Sequence, residues 1–143
     1  MGVEMNNQLF SASGLALACS AALGLLLFGL SVAISAVRLK RMNLLGTNGD
    51  PEDLLTKLVR AHGNTAEYSP LLALFMLTLA ATGHPGPFVS AMMVLATVSR
   101  FLFALGMLIS PTLARPNLIR AAGASGTYIA GFALSLAMLA AVG

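Results

Sequence analysis

Arg60, Asn64 and Glu67 stand at i, i+4 and i+7 within the stretch Arg60-Ala-His-Gly-Asn-Thr-Ala-Glu-Tyr-Ser-Pro70. On a helix the three side chains fall within about 60° of one another. A guanidinium, an amide and a carboxylate on one face form a polar binding site rather than a nucleophilic one. The same helix continues past Pro70 as Leu-Leu-Ala-Leu-Phe-Met-Leu-Thr-Leu-Ala-Ala, which is apolar enough for a bilayer interior. Ionisable groups leading into such a segment are costly, and they usually face a protein interior or a water-filled cavity where they bind or transfer something. The alternative reading is an interfacial cap whose charges reach headgroups and water.

Other ionisable residues bear on the same site. Arg100 interrupts the third hydrophobic run about ten residues, roughly 15 Å at helical rise, from its nearer polar end. That is far for snorkelling, so it needs a carboxylate, a carbonyl or water as partner. Glu67 is the only acidic residue beyond the first turn of the second helix and is the expected partner, with a direct ligand contact as the alternative. His62 lies two residues after Arg60, about 160° from that face, and His84 falls in a turn at the opposite end. No metal site is expected from them. No Gly-rich phosphate loop, Ser/His/Asp set or Cys/His set is present.

The elements that must position these residues are transmembrane helices. The 143 residues are 57% hydrophobic and 9% charged, with a mean hydropathy of +0.86. A soluble domain averages about 25% charged residues. The chain is therefore expected to be one all-α, polytopic membrane domain over 1–143. Its net charge of +3 comes from Lys and Arg between hydrophobic runs, with no basic patch interleaved with aromatics, so nucleic acid is not an expected partner. Cys19, the lone cysteine, sits inside the first run as a small packing residue. No cleavable signal peptide is expected from the N-terminal sequence.

Helices are expected at about 11–37, 51–82, 88–109 and 117–142, each long enough for the roughly 20 residues that a bilayer needs. Asp50-Pro-Glu-Asp53 reads as an N-cap at Asp50 followed by Pro at the first helical position. Gly83-His-Pro-Gly-Pro87 is a tight turn. Ser31, Ser35 and Arg38 form a weakly polar stripe ending in a charge. Gly123, Thr127 and Gly131, four apart, are a close-packing face and a candidate contact between protomers. Arg38, Lys40, Arg41, Lys57 and Arg60 flank the first loop, and Arg115 and Arg120 the third. The N-terminus and second loop hold no Lys or Arg. The positive-inside rule then puts loops one and three in the cytosol and both termini outside.

The pattern Arg60-x-His-x-Asn-x-x-Glu-Tyr-x-Pro70 resembles the hallmark of the MAPEG superfamily, membrane-associated proteins in eicosanoid and glutathione metabolism. The resemblance extends through Val37-Arg38-Leu39, the Pro87-Phe88 opening of helix three, Arg100 within it, and Arg120 opening helix four. The Arg-Ala-His-Gly-Asn wording is most similar to small bacterial members, which implies a bacterial inner membrane. The resemblance also implies a four-transmembrane-helix bundle in a homotrimer, with glutathione as cosubstrate bound between protomers near the cytosolic face. Arg60, Asn64, Glu67 and Tyr68 match positions that hold the peptide, Arg38 matches a further contact, and Arg120 matches the arginine that stabilises the thiolate. Arg100 is implied to be structural. The chemistry agrees, because arginine forks suit the carboxylates of glutathione, Glu67 suits its ammonium, and a guanidinium favours thiolate over thiol.

Three departures stand out. Gly63 occupies a position where prostaglandin E synthase relatives carry a second arginine. Phe103 and Met107 replace polar or aromatic ring residues. Ala121, not serine, follows Arg120. Slow turnover and a function outside eicosanoid synthesis are expected. The resulting reading is a membrane glutathione transferase or peroxidase acting on a hydrophobic small molecule or lipid. The alternatives are a non-catalytic scaffold or lipid-binding member of the same fold, and a small proton-coupled exporter using Glu67. The absence of Trp and the few aromatics weigh against the exporter.

Overall fold

The computed structural model describes residues 2–83 and 86–141, with side-chain environments from Ser13 onward. His84 and Pro85 of the second turn, and Val142 at the expected end of the last helix, lie outside the described residues. Four helices follow one another: α1 (Gly2–Arg41), α2 (Leu54–Ala81), α3 (Pro87–Ile109) and α4 (Leu118–Ala140). No strand occurs among the described residues. Three of the four, α1, α3 and α4, are long and apolar enough to cross a membrane. In α2 the polar stretch Asn64–Pro70 lowers the mean hydropathy of a helix that packs against all three of the others.

Local chemistry sets the helix ends. The first helix continues a turn past Val37, because Arg38, Lys40 and Arg41 complement its C-terminal dipole. It ends in a Schellman motif: Met42 adopts a positive φ of 51°, its N–H donates to the Leu39 carbonyl at 3.2 Å, and the Asn43 N–H donates to that of Arg38 at 3.1 Å. The second helix starts at Leu54 rather than Pro51, and its cap is Asp53, not Asp50. The Asp53 carboxylate accepts from the Leu55 and Thr56 amides at 2.9 and 3.2 Å. Asp50 instead closes the preceding turn by accepting from Glu52 N–H at 2.9 Å. Arg41 donates to Asp53 at 2.6 Å and, with those amides, holds its carboxyl below the usual range. One carboxylate thus ties the end of α1 to the start of α2.

Loops one and three meet at one end of the bundle. Leu113 N–H donates to the Pro51 carbonyl at 2.9 Å, and the buried Lys57 ammonium donates to that of Pro111 at 3.0 Å. Inside, apolar packing falls into two clusters. One contains Leu23, Leu72, Met76, Met93, Ala96 and Leu134. The other, nearer the loop-one end, contains Leu30, Leu58, Ala61, Ala104 and Met107. Between them along the helices runs a buried polar layer of Thr65, Ser69, Ser99, Arg100 and Thr127. The outward faces carry exposed Leu25, Phe28, Phe132 and Leu139, as a bilayer-facing surface requires.

The small-residue face of α4 corrects one expectation. Gly123 is buried against α3 of the same protomer, so it is not available as a contact between protomers. A Cβ on Gly123 would run into the backbone nitrogen of Phe103 and lie 2.8 Å from the Ser99 carbonyl oxygen. One on Gly106 would lie 2.5 Å from the backbone nitrogen of Arg120. Thr127 and Gly131 of that set border an open groove between α2 and α4. Replacing Gly123 with Ala should therefore destabilise the protomer itself, by about 1–3 kcal/mol as overpacked cores do. Thermal unfolding in detergent checks this. A native melting temperature with a changed oligomer mass would restore Gly123 to an inter-protomer surface.

Candidate functional site

Helix α2 presents Arg60, Asn64 and Glu67 toward α3 and α4, as the i, i+4, i+7 spacing requires. A cleft of about 510 Å³ opens there. Arg60, Gly63, Asn64 and Glu67 form one wall, Phe103 and Met107 of α3 another, and Leu113 and Arg120 close the loop-three end. Arg120 reaches it because Asn117 caps α4 by accepting its backbone N–H at 3.1 Å, and because Gly106 lets α3 come against that first turn. Its guanidinium donates to the carbonyls of Leu113 and Arg115 at 3.3 and 3.1 Å. Those bonds fix its position without neutralising its charge.

The sole ion pair among the described residues is Arg41–Asp53, outside the cleft. Arg60 and Glu67 are both exposed, and neither pairs with an opposite charge there. The cleft therefore offers two guanidinium groups, one carboxylate and one amide. That donor set fits a ligand with more than one anionic group and a cationic one.

The remaining expected site residues separate from this group. Tyr68 lines a second groove of about 430 Å³ between α2 and α4, among Leu71, Phe75, Tyr128 and Phe132. Glu67 borders both the cleft and this groove. Tyr128, which nothing in the sequence pattern singled out, stands 6.0 Å from Tyr68 between ring centroids. Its placement follows from how α4 packs, so only the tertiary structure could reveal it. Arg38 is not brought to the cleft. It lies across α2 in a pocket of about 330 Å³ with Ser31, Ser35 and His62. The Ser31 hydroxyl and His62 Nε2 are hydrogen-bonded at 2.8 Å, so His62 belongs to the α1–α2 seam, as its angular offset from Arg60 requires.

Arg100 departs from its expected pairing. It is 1% exposed and forms no ion pair with Glu67. Its Nη2 donates to Asn64 Oδ1 at 2.8 Å, and the guanidinium carbon lies 5.2 Å from the Tyr68 ring centroid and 4.9 Å from that of Phe103. The reason is register. Asn64 is the α2 residue level with Arg100, while Glu67, almost a turn further on, is turned outward to the cleft. Cation–π contact with two aromatic faces replaces the missing carboxylate. Arg120, for its part, lines the same cleft of one chain as Arg60 and Glu67.

Against proteins already grouped by sequence, the model of the MAPEG family matches residues 16–140, which takes in most of α1 and all of α2, α3 and α4. No curated protein matches the chain.

Gly63 has nothing within 4 Å of a Cβ placed on it and opens onto the cleft. Cys19 is 7% exposed. A Gly63→Cys variant in detergent should thus take up a hydrophilic maleimide at one thiol per chain, while native protein stays unlabelled. Equal labelling of the two would mean that the cleft is closed to water.

Proposed function

Because the chain belongs to the MAPEG family and is an integral membrane protein with three helices long and apolar enough to cross a bilayer, we propose that it is a membrane glutathione transferase or peroxidase. It acts on an apolar electrophile drawn from the bilayer. The observation that carries this reading is the convergence of Arg60, Asn64, Glu67 and Arg120 on one cleft.

Glutathione brings two carboxylates, one ammonium and one thiol. Arg60 is positioned to hold a carboxylate in a charge-assisted bond, and Glu67 to hold the ammonium. Arg120 supplies the second positive charge. A guanidinium beside a thiol lowers its pKa, and the thiolate is the nucleophile. The loop carbonyls that fix Arg120 keep it from swinging away as charge develops on sulfur. In conjugation the sulfur lone pair forms a bond to the electrophilic carbon, the leaving group takes the displaced electron pair, and the thiol proton passes to water in the open cleft. The adjoining apolar groove meets the cleft at Glu67, which suits a reaction between a water-soluble thiol and a hydrophobic partner.

We further propose a homotrimer as the working unit, in a bacterial inner membrane, with loops one and three in the cytosol and both termini outside. In that arrangement Arg38, which lies across α2 from its own cleft, completes the site of a neighbouring protomer. Ala121 beside Arg120 and the apolar Phe103 and Met107 offer the sulfur little further polar help, so turnover is slow.

Binding should depend on Arg60 and Glu67, since hydrogen bonds to charged groups are worth about 1.5–3 kcal/mol. Calorimetric titration of Arg60→Ala and Glu67→Gln with glutathione should show affinity at least about tenfold below native, with the oligomer mass unchanged. Native affinity in both variants would move the site elsewhere, and dissociation to monomers would make these residues structural.

Arg120 should matter more to chemistry than to affinity, because its charge interacts with thiolate and hardly with thiol. Ultraviolet thiolate absorbance, followed against pH, should show a lowered thiol pKa for glutathione bound to native protein. Arg120→Leu should lose that shift while keeping most of the affinity. Equal thiolate fractions in the two would remove Arg120 from the mechanism. Affinity without thiolate in native protein would instead assign a binding role without catalysis.

A further inference from the structure

We propose that Arg100 sets the hydrogen-bonding polarity of the cleft by locking the Asn64 amide in one orientation, so that Asn64 offers a donor and selects an acceptor group on the ligand. The starting point is that a guanidinium has donors and no acceptor. Whichever terminal atom of Asn64 meets Arg100 Nη2 at 2.8 Å must therefore be the oxygen. The amide nitrogen then occupies the other branch of the side chain. Asn64 lines the cleft, its nitrogen is not among the buried polar atoms without a partner, and it spends no hydrogen bond on another described residue. The group left to meet a ligand is thus an NH₂, and its complement is a carboxylate or peptide carbonyl oxygen.

Arg100 exerts this effect without touching the ligand. It is 1% exposed and does not line the cleft. It also has little freedom to let go. The rings of Tyr68 and Phe103 lie 5.2 and 4.9 Å from the guanidinium carbon, and Phe103 is itself a cleft wall. No carboxylate among the described residues competes for its remaining donors. An unheld asparagine amide turns over freely and presents acceptor and donor alternately. Held by Arg100, it presents the donor alone. Arg100 is therefore a positioning residue. The identity of the ligand rests on the glutathione reading above, whereas the locked amide stands on the geometry alone.

Three variants separate this role from a merely structural one. Asn64→Asp keeps an oxygen toward Arg100 and so keeps the bundle, but turns a second carboxylate oxygen toward the cleft. Its melting temperature should be native or higher, and its affinity for glutathione at least about tenfold lower. Arg100→Leu should lose a similar factor, and Arg100→Lys, which restores one donor to Asn64, should recover most of it. The direct readout is the side-chain NH₂ pair of Asn64 in ¹⁵N-labelled protein. In native protein and Arg100→Lys the pair should be sharp and should move when glutathione is added. In Arg100→Leu it should broaden or collapse toward the free-amide position. If Asn64→Asp binds glutathione as native protein does, the proposal is overturned. If native protein binds no glutathione, the function proposed above fails, and the NH₂ pair without ligand still decides this one: a pair unchanged by Arg100→Leu overturns it, and a pair lost in Arg100→Leu but kept in Arg100→Lys supports it. Should Arg100→Leu not fold, Asn64→Asp and Arg100→Lys carry the same decision.

Discussion

A guanidinium buried in the middle of an apolar bundle constrains everything around it. Removing a cation from water costs several kcal/mol even after the surroundings relax. Arg100 offsets this with one hydrogen bond to Asn64 and the faces of Tyr68 and Phe103, not with a carboxylate. Those three partners come from α2 and α3, so solvating Arg100 fixes how the two helices face each other. It also fixes two walls of the cleft, because Asn64 and Phe103 line it. Leaving Glu67 unpaired is part of the same arrangement. Had Arg100 taken the carboxylate, the cleft would have lost the one group in it that suits an ammonium.

Close approach of α3 and α4 supplies the rest of the cleft. Gly106 and Gly123 admit the opposing backbone where any Cβ would collide with it. This brings the first turn of α4, and with it Arg120, across the open end of the α2–α3 wall. Loop three is in turn held to the start of α2 through Lys57 and Leu113. The carbonyls of Leu113 and Arg115, placed by that loop, hold the Arg120 guanidinium. Polar contacts at one end of the bundle and small residues along one seam thus cooperate in positioning a single charge.

The cleft and the apolar groove share Glu67. On one side are arginines and an amide. On the other are Leu71, Phe75 and Phe132. In the function proposed above one partner comes from water and the other from the bilayer, and Glu67 stands where the two recesses meet. Pro70, the last residue of the motif, lies inside α2, which continues through it to Ala81.

Much of this was legible from spacing and composition. Hydrophobic runs of bilayer length gave four helices, because helix formation in apolar surroundings depends on local backbone hydrogen bonding and not on distant partners. The i, i+4, i+7 spacing placed Arg60, Asn64 and Glu67 on one face, and the same angular argument excluded His62 from it. The helix caps were less legible: Asp50 and Asp53 both precede α2, and only the docking of Arg41 favours the second. What spacing within one helix cannot encode is register between helices. The tertiary structure alone decided that Arg100 meets Asn64 and not Glu67, that Gly123 is spent inside the protomer, that Tyr128 comes up to Tyr68, and that Arg38 lies across α2 from the cleft. Each depends on how far one helix slides and turns against another, which is set by side-chain packing at every layer of the bundle and by no short stretch of sequence.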